Sequence, residues 1–163
     1  MKYPVRTVFL KFLPLCPLIM GVARADTFIL DERHTFPSFE VSHLGFSTQR
    51  GRFDKTTGSV LLDTERKTGS MQVTIHSASI DTGLTELEDK LRSTDFFNTA
   101  QFPEISYQAD KIEFVGDQPK TVSGNLTLLG VTRPLILTID HYQCGFHPIY
   151  LKTVCGVDVS GTL

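Results

Sequence analysis

The residues best suited to chemistry lie together near the C-terminus, in the segment HYQCGFHPIYLKTVC. This segment contains His141, Cys144, His147 and Cys155. Histidine nitrogens and cysteine thiolates are the usual zinc ligands, and Cys-x-x-His followed by a distant cysteine could form half of a zinc site. The ten residues between the two cysteines are more than a structural zinc site normally has. A disulfide is the alternative, and it depends on the compartment in which the protein folds.

The N-terminus predicts export from the cytoplasm. A basic region precedes an uncharged apolar stretch over residues 12–22, and Ala23 and Ala25 occupy the small-residue positions of a signal peptidase site. The apolar stretch is too short to cross a bilayer, so we expect no integral membrane anchor. The interpretation is a cleaved secretory signal peptide over residues 1–25, a single domain over residues 26–163 and a location in the periplasm.

Removal of the signal peptide changes the charge of the chain. The peptide carries four basic residues and no acid, so 12 basic and 18 acidic residues remain, a net charge of −6. This charge argues against nucleic acid or an anionic membrane surface as the main partner, because both bind basic patches. Two cysteines remain, and an even number in an exported chain favours a disulfide between Cys144 and Cys155 over a metal site.

Other polar residues give no catalytic arrangement. The carboxylates of Glu86, Glu88 and Asp89 stand beside basic residues, which is typical of a solvated helix face and not of paired catalytic carboxylates. The histidines and serines show no H-E-x-x-H, G-x-S-x-G or P-loop spacing, so we predict that the protein is not an enzyme. His43, which follows a predicted strand, is either a turn histidine or a polar contact to a ligand.

Short segments in which apolar and polar residues alternate make up most of the remaining chain and predict β-strands. They are separated by Gly, Pro, Asp or Asn. Their regular spacing indicates an antiparallel sandwich or barrel. Several are apolar on both faces, as in Val60-Leu61-Leu62, which indicates a second covering layer or an interior that holds an apolar ligand. The predicted strands are residues 27–30, 36–42, 58–63 and 70–80 (these two as a hairpin), 104–115, 121–130 and 133–144.

One helix interrupts the strand pattern. Thr85 and Glu88 fit a capping box that begins a helix at about residues 85–94. Its apolar stripe consists of three leucines and is narrow. Since most helix stability in proteins comes from packing, we expect the phenylalanines that follow to anchor the segment. The leucines are Leu84, Leu87 and Leu91, and the phenylalanines are Phe96, Phe97 and Phe102.

Five segments, taken in order, resemble the YceI-like family of exported polyisoprenoid-binding proteins. The most specific is the leucine–arginine helix end that runs into Asp-Phe-Phe and then Phe-Pro. The pair Cys144 and Cys155, with His-Pro between, is similar to the branch of the family that carries a disulfide there. The segments are FEVSHLGFSTQRGRF (39–53), SIDTG (79–83), LRSTDFFNTAQFPEISY (91–107), VSGNLTLLGVTRPL (122–135) and CGVD (155–158).

The resemblance implies an all-β fold, an extended antiparallel β-barrel of lipocalin-like shape with one short helix. Its interior would be an apolar tunnel that holds an isoprenoid chain, such as a quinone or polyprenyl lipid, or another amphiphile, with no other cofactor required. His43, Arg92 and Asp95 are the nearest polar residues and become candidates for headgroup contact. The tunnel residues carried over are Phe39, Val41, Phe46, Leu87, Leu91, Phe96, Phe97 and Phe102.

The resemblance also implies a further strand region beyond Leu163, and without it the barrel would keep an unpaired edge. Because unpaired edges favour pairing between chains, such an edge would invite aggregation or self-association, for example as a homodimer. Two functions remain as alternatives to a periplasmic lipid carrier. They are an exported metal-binding protein that uses residues 141–155, and a non-catalytic subunit of a quinone-linked redox system.

Overall fold

The computed structural model describes residues 25–163, and the predicted signal peptide lies outside the described residues except for Ala25. Within that range the chain forms ten β-strands, one α-helix and a single 3-10 turn. The strands are β1 Asp26–Ile29, β2 Ser38–His43, β3 Ser47–Phe53, β4 Thr56–Asp63, β5 Thr68–His76, β6 Ile80–Asp81, β7 Glu104–Val115, β8 Gln118–Leu128, β9 Val131–His147 and β10 Lys152–Ser160. Helix α1 spans Thr85–Arg92, and the 3-10 turn spans Ser77–Ser79.

The strands form two antiparallel sheets. Seven strands pair in the order β1-β4-β5-β7-β8-β9-β10, and three pair in the order β2-β3-β6. The larger sheet curls into a half-barrel with β1 and β10 at its edges, and the twist between neighbouring strands makes one face concave. The predicted all-β class, the antiparallel lipocalin-like architecture with one short helix and the hairpin between β4 and β5 are confirmed.

The concave face of the half-barrel carries the main core. In β7, Ile105, Tyr107 and Ala109 are all buried, at every second residue. The pairing with β8 skips Asp110, so this extra residue shifts the alternation and the buried positions continue at Ile112. The bulge therefore keeps apolar side chains on the concave face along the whole strand. The buried residues of this core are Leu62, Tyr107, Ala109, Ile112, Val122 and Ile139.

Strand β9 contains a second bulge with the same effect. Its pairing with β10 skips Asp140, which is the extra residue. Leu135, Leu137 and Ile139 belong to the core before the bulge, and Tyr142 belongs to it afterwards. Because the bulge reverses the alternation, one apolar row stays on the concave face along most of this 17-residue strand.

Tyr107 lies across the centre of the concave face. Its hydroxyl reaches two backbone carbonyls, those of Val122 at 2.9 Å and Leu135 at 3.1 Å, and can donate to either. The ring lies beside Gly124, where a Cβ atom would be 2.8 Å from the Tyr107 Cζ. Burial raises the pKa of Tyr107, so the hydroxyl remains a donor. One side chain thus links β7, β8 and β9.

Replacing Tyr107 with phenylalanine should lower the free energy of unfolding by about 0.5–1.5 kcal/mol, because two carbonyls lose their shared donor while the ring still packs. Urea unfolding followed by circular dichroism measures the change. Tyr150→Phe is the matched control, since Tyr150 is half exposed and its variant should stay within about 0.5 kcal/mol of the wild type. Equal stability of the two variants would contradict the linking role of the Tyr107 hydroxyl.

Helix α1 begins one residue before the capping-box prediction places it. Leu84 is the N-cap, and its carbonyl accepts the first helical hydrogen bonds, so the assignment of Thr85 as N-cap was wrong. The Glu88 carboxylate instead accepts a hydrogen bond from the Thr82 amide and fixes the turn that precedes the helix. The helix ends at Arg92. Among residues 25–163, no helix has the length and apolar character needed to cross a membrane.

Candidate functional site

Three phenylalanine rings meet at the end of the half-barrel where α1 packs. The ring centroids of Phe53 and Phe97 are 5.6 Å apart in an edge-to-face arrangement. The Phe39 centroid lies 5.9 Å from that of Phe53 and 6.4 Å from that of Phe97. Tilted geometries of this kind are favourable for aromatic pairs, and we call the three rings the aromatic cluster. The apolar side chains around it are Ile75, Ile80, Leu91, Ile105, Leu126 and Leu128.

The three-stranded sheet positions two of these rings. Phe39 in β2 pairs with Gly51 in β3, and Phe53 in β3 pairs with Ile80 in β6. The Phe39 ring lies against Gly51, where a Cβ atom would come within 2.5 Å of the ring. Phe53 and Ile80 are 6% and 2% exposed, so the small sheet is held to the half-barrel by buried apolar contacts. A residue larger than glycine opposite Phe39 would displace the ring.

A cleft of about 300 Å³ opens beside the aromatic cluster, lined by Asp95, Phe96, Phe97 and Leu129. The Lys90 ammonium donates a hydrogen bond to the Asp95 carboxylate, and this bond and its positive charge lower the pKa of Asp95. Lys90 also lies 5.9 Å from the centroid of the Phe96 ring. The cleft therefore has apolar walls and a charged rim, an arrangement that suits an apolar chain with a polar head.

The guanidinium of Arg92 fastens α1 to the chain beneath it. It donates to the backbone carbonyls of Ala78 and Ile80, each at 3.0 Å. Within the helix it pairs with Glu88 at 3.3 Å and with Asp89 at 3.0 Å. These contacts give Arg92 a structural role in positioning the helix, and its contact with a ligand headgroup stays a prediction.

Four other predicted site residues lie outside the aromatic cluster and the apolar side chains around it. Val41 in β2 and Phe46 in the following turn are 54% and 91% exposed, and His43 at the end of β2 is also exposed. Phe102 is half-buried against the turn between β8 and β9. Their contacts with a ligand stay predictions.

The structure brings three of the predicted tunnel residues together, Phe39, Leu91 and Phe97, with Phe96 at the rim of the cleft. Leu87, also predicted, is half-buried on α1. The sequence interpretation missed the buried partners from β3, β6 and β7, because their segments carry few apolar residues or were assigned to the general core. These partners are Phe53, Ile80 and Ile105.

The two cysteines form the predicted disulfide. Cys144 in β9 pairs directly with Cys155 in β10, and the two are covalently linked. His141 and His147 each lie three residues from Cys144, so their side chains lie on the opposite face of the strand. The zinc alternative was therefore wrong. Both thiols are consumed, and residues 25–163 contain no group of three side chains that could hold a metal ion.

Comparison with known proteins gives one family and several relatives. A family model described as a YceI-like domain matches residues 28–163. A UPF0312 protein of Shewanella baltica (strain OS185) is 35% identical over 121 residues, which cover 72% of this chain and 63% of the relative. Protein YceI of Escherichia coli O6:H1 is 36% identical over 120 residues, with 72% and 62% covered. The matched region thus spans somewhat less than two thirds of the length of these relatives.

Two solved structures share the fold. The crystal structure of Burkholderia cenocepacia BcnA superposes with a TM-score of 0.56 at 26% identity, covering 67% of this chain and 72% of that one. A YCEI protein of Campylobacter jejuni superposes with a TM-score of 0.55 at 21% identity, covering 82% and 96%. The half-barrel with its short helix is therefore an architecture that occurs in experimentally determined structures.

Proposed function

Because the chain belongs to the family of YceI-like domains, we propose that it is a periplasmic binding protein that holds and carries an isoprenoid chain, such as a quinone or a polyprenyl lipid. The binding is non-covalent and non-catalytic. The charged groups nearest the aromatic cluster support this, because they are already engaged in ion pairs. Lys90 pairs with Asp95, and Arg92 pairs with carboxylates of its own helix. A role as the lipid-holding subunit of a quinone-linked redox system is compatible with the same site.

The observation that carries the proposal is the apolar concave face, which continues into the aromatic cluster. Leu126 packs against both the main core and the cluster, so the two form one apolar path. Side chains along this path remain only partly buried, and a lipid lying over them would remove their surface from water. At ~25 cal/mol for each Å² of apolar surface, a long isoprenoid tail needs few polar contacts to bind tightly. These partly buried side chains include Val60, Met71, Val73, Leu135 and Leu137.

The geometry favours one orientation of the ligand. The tail would lie along the concave face and against Phe39, Leu91 and Phe97, which are the most enclosed of the proposed contacts. The headgroup would lie at the rim, where Asp95 and its ion pair remain in water. The remaining proposed contacts lie around this position. They are Val41, His43, Phe46, Leu87, Arg92, Phe96 and Phe102.

Native mass spectrometry and organic extraction test the proposal directly. Protein purified from the periplasm without detergent should release an isoprenoid-like lipid in stoichiometric amounts. Protein that is empty when purified in this way, and that also fails to bind added quinone, would refute it. If the released lipid were a fatty acid and not an isoprenoid, the proposal of an apolar binding site would stand and the proposed class of ligand would be wrong.

Replacing Phe97 with alanine should weaken quinone binding about tenfold or more, because the ring would contribute roughly 1.5–3 kcal/mol of burial against the tail. Phe36→Ala is the matched control. Phe36 is 42% exposed and lies under the Arg52 guanidinium, outside the cluster, so its variant should bind normally. Isothermal titration and urea unfolding of both variants are compared. Lost stability with unchanged affinity would instead make Phe97 a plug that closes the end of the half-barrel.

A further inference from the structure

The hairpin of β9 and β10 projects beyond the rest of the large sheet. Strand β8 pairs with β9 only over Val131 to Thr138, whereas β10 pairs with β9 from Thr138 to His147. Among the described strands, β10 pairs with β9 alone. The outer half of this hairpin is thus a two-stranded ribbon, and such ribbons are only marginally stable in water without further support. The Cys144–Cys155 disulfide links its two strands at this point.

The end of the ribbon is unusually apolar for a solvated turn. We define the hairpin tip as residues 146–152, with the sequence FHPIYLK. Two of its side chains, Ile149 and Leu151, are 81% and 74% exposed, and two aromatic ones, Phe146 and Tyr150, are 68% and 52% exposed. An exposed group of aromatic and aliphatic side chains in so short a segment marks an interaction surface.

The contacts within the tip give it a defined shape. The rings of His147 and Tyr150 lie with their centroids 4.6 Å apart, and the Lys152 ammonium lies 5.6 Å from the centroid of the Tyr150 ring. The stack of three side chains leaves Ile149 and Leu151 as the outward apolar residues. Amphipathic aromatic rings beside a lysine are the residue types that settle at the interface between lipid and water.

The charge of the ribbon favours a negatively charged partner for this segment, although the net charge of the chain argues against such a surface binding the molecule as a whole. Between Asp140 and Asp158 the chain carries no acid, although residues 26–163 have a net charge of −6. The same stretch contains Lys152 and two histidines. The ribbon is therefore a part of this acidic molecule that can approach a negatively charged surface without repulsion, and the adjoining acid-free stretch, residues 118–139 with Lys120 and Arg133, adds no repulsion of its own. The acidic remainder would be kept away from that surface, which orients the molecule tip-first.

We propose that the hairpin tip docks in the interface of a bilayer that contains anionic phospholipid. Ile149, Tyr150 and Leu151 enter the headgroup region, and Lys152 contacts lipid phosphate. The apolar row of β9 leads from the tip at Phe146 through Tyr142 to the concave face, so docking places that face in line with the bilayer. The use of this row for transfer of a ligand rests on the proposed function, whereas docking itself does not.

A single tryptophan reports on the docking, because the chain has none of its own. Tyr150→Trp places the fluorophore at the tip, where Tyr150 is 52% exposed, and Ile29→Trp places it at a still more exposed apolar position on the edge strand β1, where Ile29 is 74% exposed. Each variant is mixed with vesicles of phosphatidylethanolamine and phosphatidylglycerol in equal parts, with brominated acyl chains. Strong quenching at position 150 and little at position 29 is expected. Quenching at neither position, or at position 29 alone, would overturn the proposal.

Vesicle co-sedimentation of tip variants provides the second measurement. In Ile149→Ser/Leu151→Asn the apolar residues are removed, and asparagine tolerates the positive φ of 50° at position 151. Its binding to the same vesicles should fall about tenfold or more, whereas Ile29→Ser should bind like the wild type. Unchanged binding of the tip variant would overturn the proposal. It would also be overturned if the wild type bound no vesicles and formed a dimer in sedimentation analysis that the tip variant did not form.

The same variants separate this proposal from the proposed function. Quinone added from solution should bind Ile149→Ser/Leu151→Asn as it binds the wild type, because the tip lies at the opposite end of β9 from the aromatic cluster. Vesicle binding by a protein that binds no quinone would support docking and refute the lipid-carrier function. Quinone binding by a protein that ignores vesicles would refute docking alone.

Discussion

Replacing Phe53 with alanine should lower the free energy of unfolding by about 3–5 kcal/mol, which is the usual cost of emptying a buried phenylalanine site. Phe53 is 6% exposed and touches both other rings of the aromatic cluster. Its loss would leave a cavity at the place where the small sheet meets the half-barrel. Phe39 is fixed in β2 opposite Gly51 and Phe97 follows helix α1, so we expect the two rings to close this cavity only in part. Urea unfolding followed by far-UV circular dichroism measures the change.

Phe46→Ala is the matched control for this experiment. Phe46 is 91% exposed in the turn between β2 and β3, so its variant should keep the stability of the wild type within about 0.5 kcal/mol. Phe97→Ala should fall between the two, since Phe97 is half-buried. If Phe53→Ala were as stable as Phe46→Ala, the small sheet would not be anchored by the aromatic cluster, and the site geometry would need another support.

The strands of the large sheet could be predicted from the sequence because their signals are local. Strand β7, Glu104–Val115, was predicted with both ends correct, since apolar alternation begins after Pro103 and stops before Gly116. Strand β3 was not identified from its pattern, because STQRGRF has no apolar alternation. Its place depends on pairing with β2, where Gly51 accepts the ring of Phe39. That is a long-range relation that no single segment contains.

The candidate site was predicted in part for the same reason. Leu91 and Phe97 lie in one short segment that must fold back on the sheet, so both enter the cluster. The exposure of Val41 and Phe46 follows from how far the β2–β3 hairpin extends past the cluster, and neither residue type nor spacing encodes that length. Of the three phenylalanines predicted to anchor the helix, Phe97 packs in the cluster, and its partner Phe53 comes from a strand that the pattern conceals.

The sequence argument for a disulfide over zinc was based on export and on the number and spacing of the cysteines, and the length of β9 now adds a geometric argument. The predicted strand stopped at Cys144, which left the orientation of His147 open. In the structure β9 continues to His147, so strict alternation separates the histidines from the cysteines. Once the length of the strand is known, alternation places His141 and His147 on the face opposite Cys144. Both cysteines then face each other across the hairpin, which is the arrangement that a cross-strand disulfide requires.

Replacing both cysteines with serine should lower the free energy of unfolding by about 2–3 kcal/mol in the chain-entropy account, since the bond closes a short loop. The ribbon should be affected first. Within residues 25–163 its outer half pairs with no third strand, and the Tyr142 hydroxyl, 2.9 Å from Cys144 Sγ, loses contact with that sulfur. Amide exchange over residues 141–157 should therefore accelerate more than exchange in β7. Global stability is measured by urea unfolding under oxidising conditions.

Reduced wild-type protein is the control, because it loses the bond and keeps the side chains. It should match the Cys144→Ser/Cys155→Ser variant in both exchange and unfolding midpoint. Because the hairpin tip needs a firm base to present Ile149 and Leu151, both proteins should also bind anionic vesicles more weakly than the oxidised wild type. Unchanged exchange over residues 141–157 after reduction would show that the β9–β10 pairing holds the ribbon without the bond. The disulfide would then act only on the unfolded state, whose free energy it raises by limiting the freedom of the unfolded chain, and docking would not depend on the redox state.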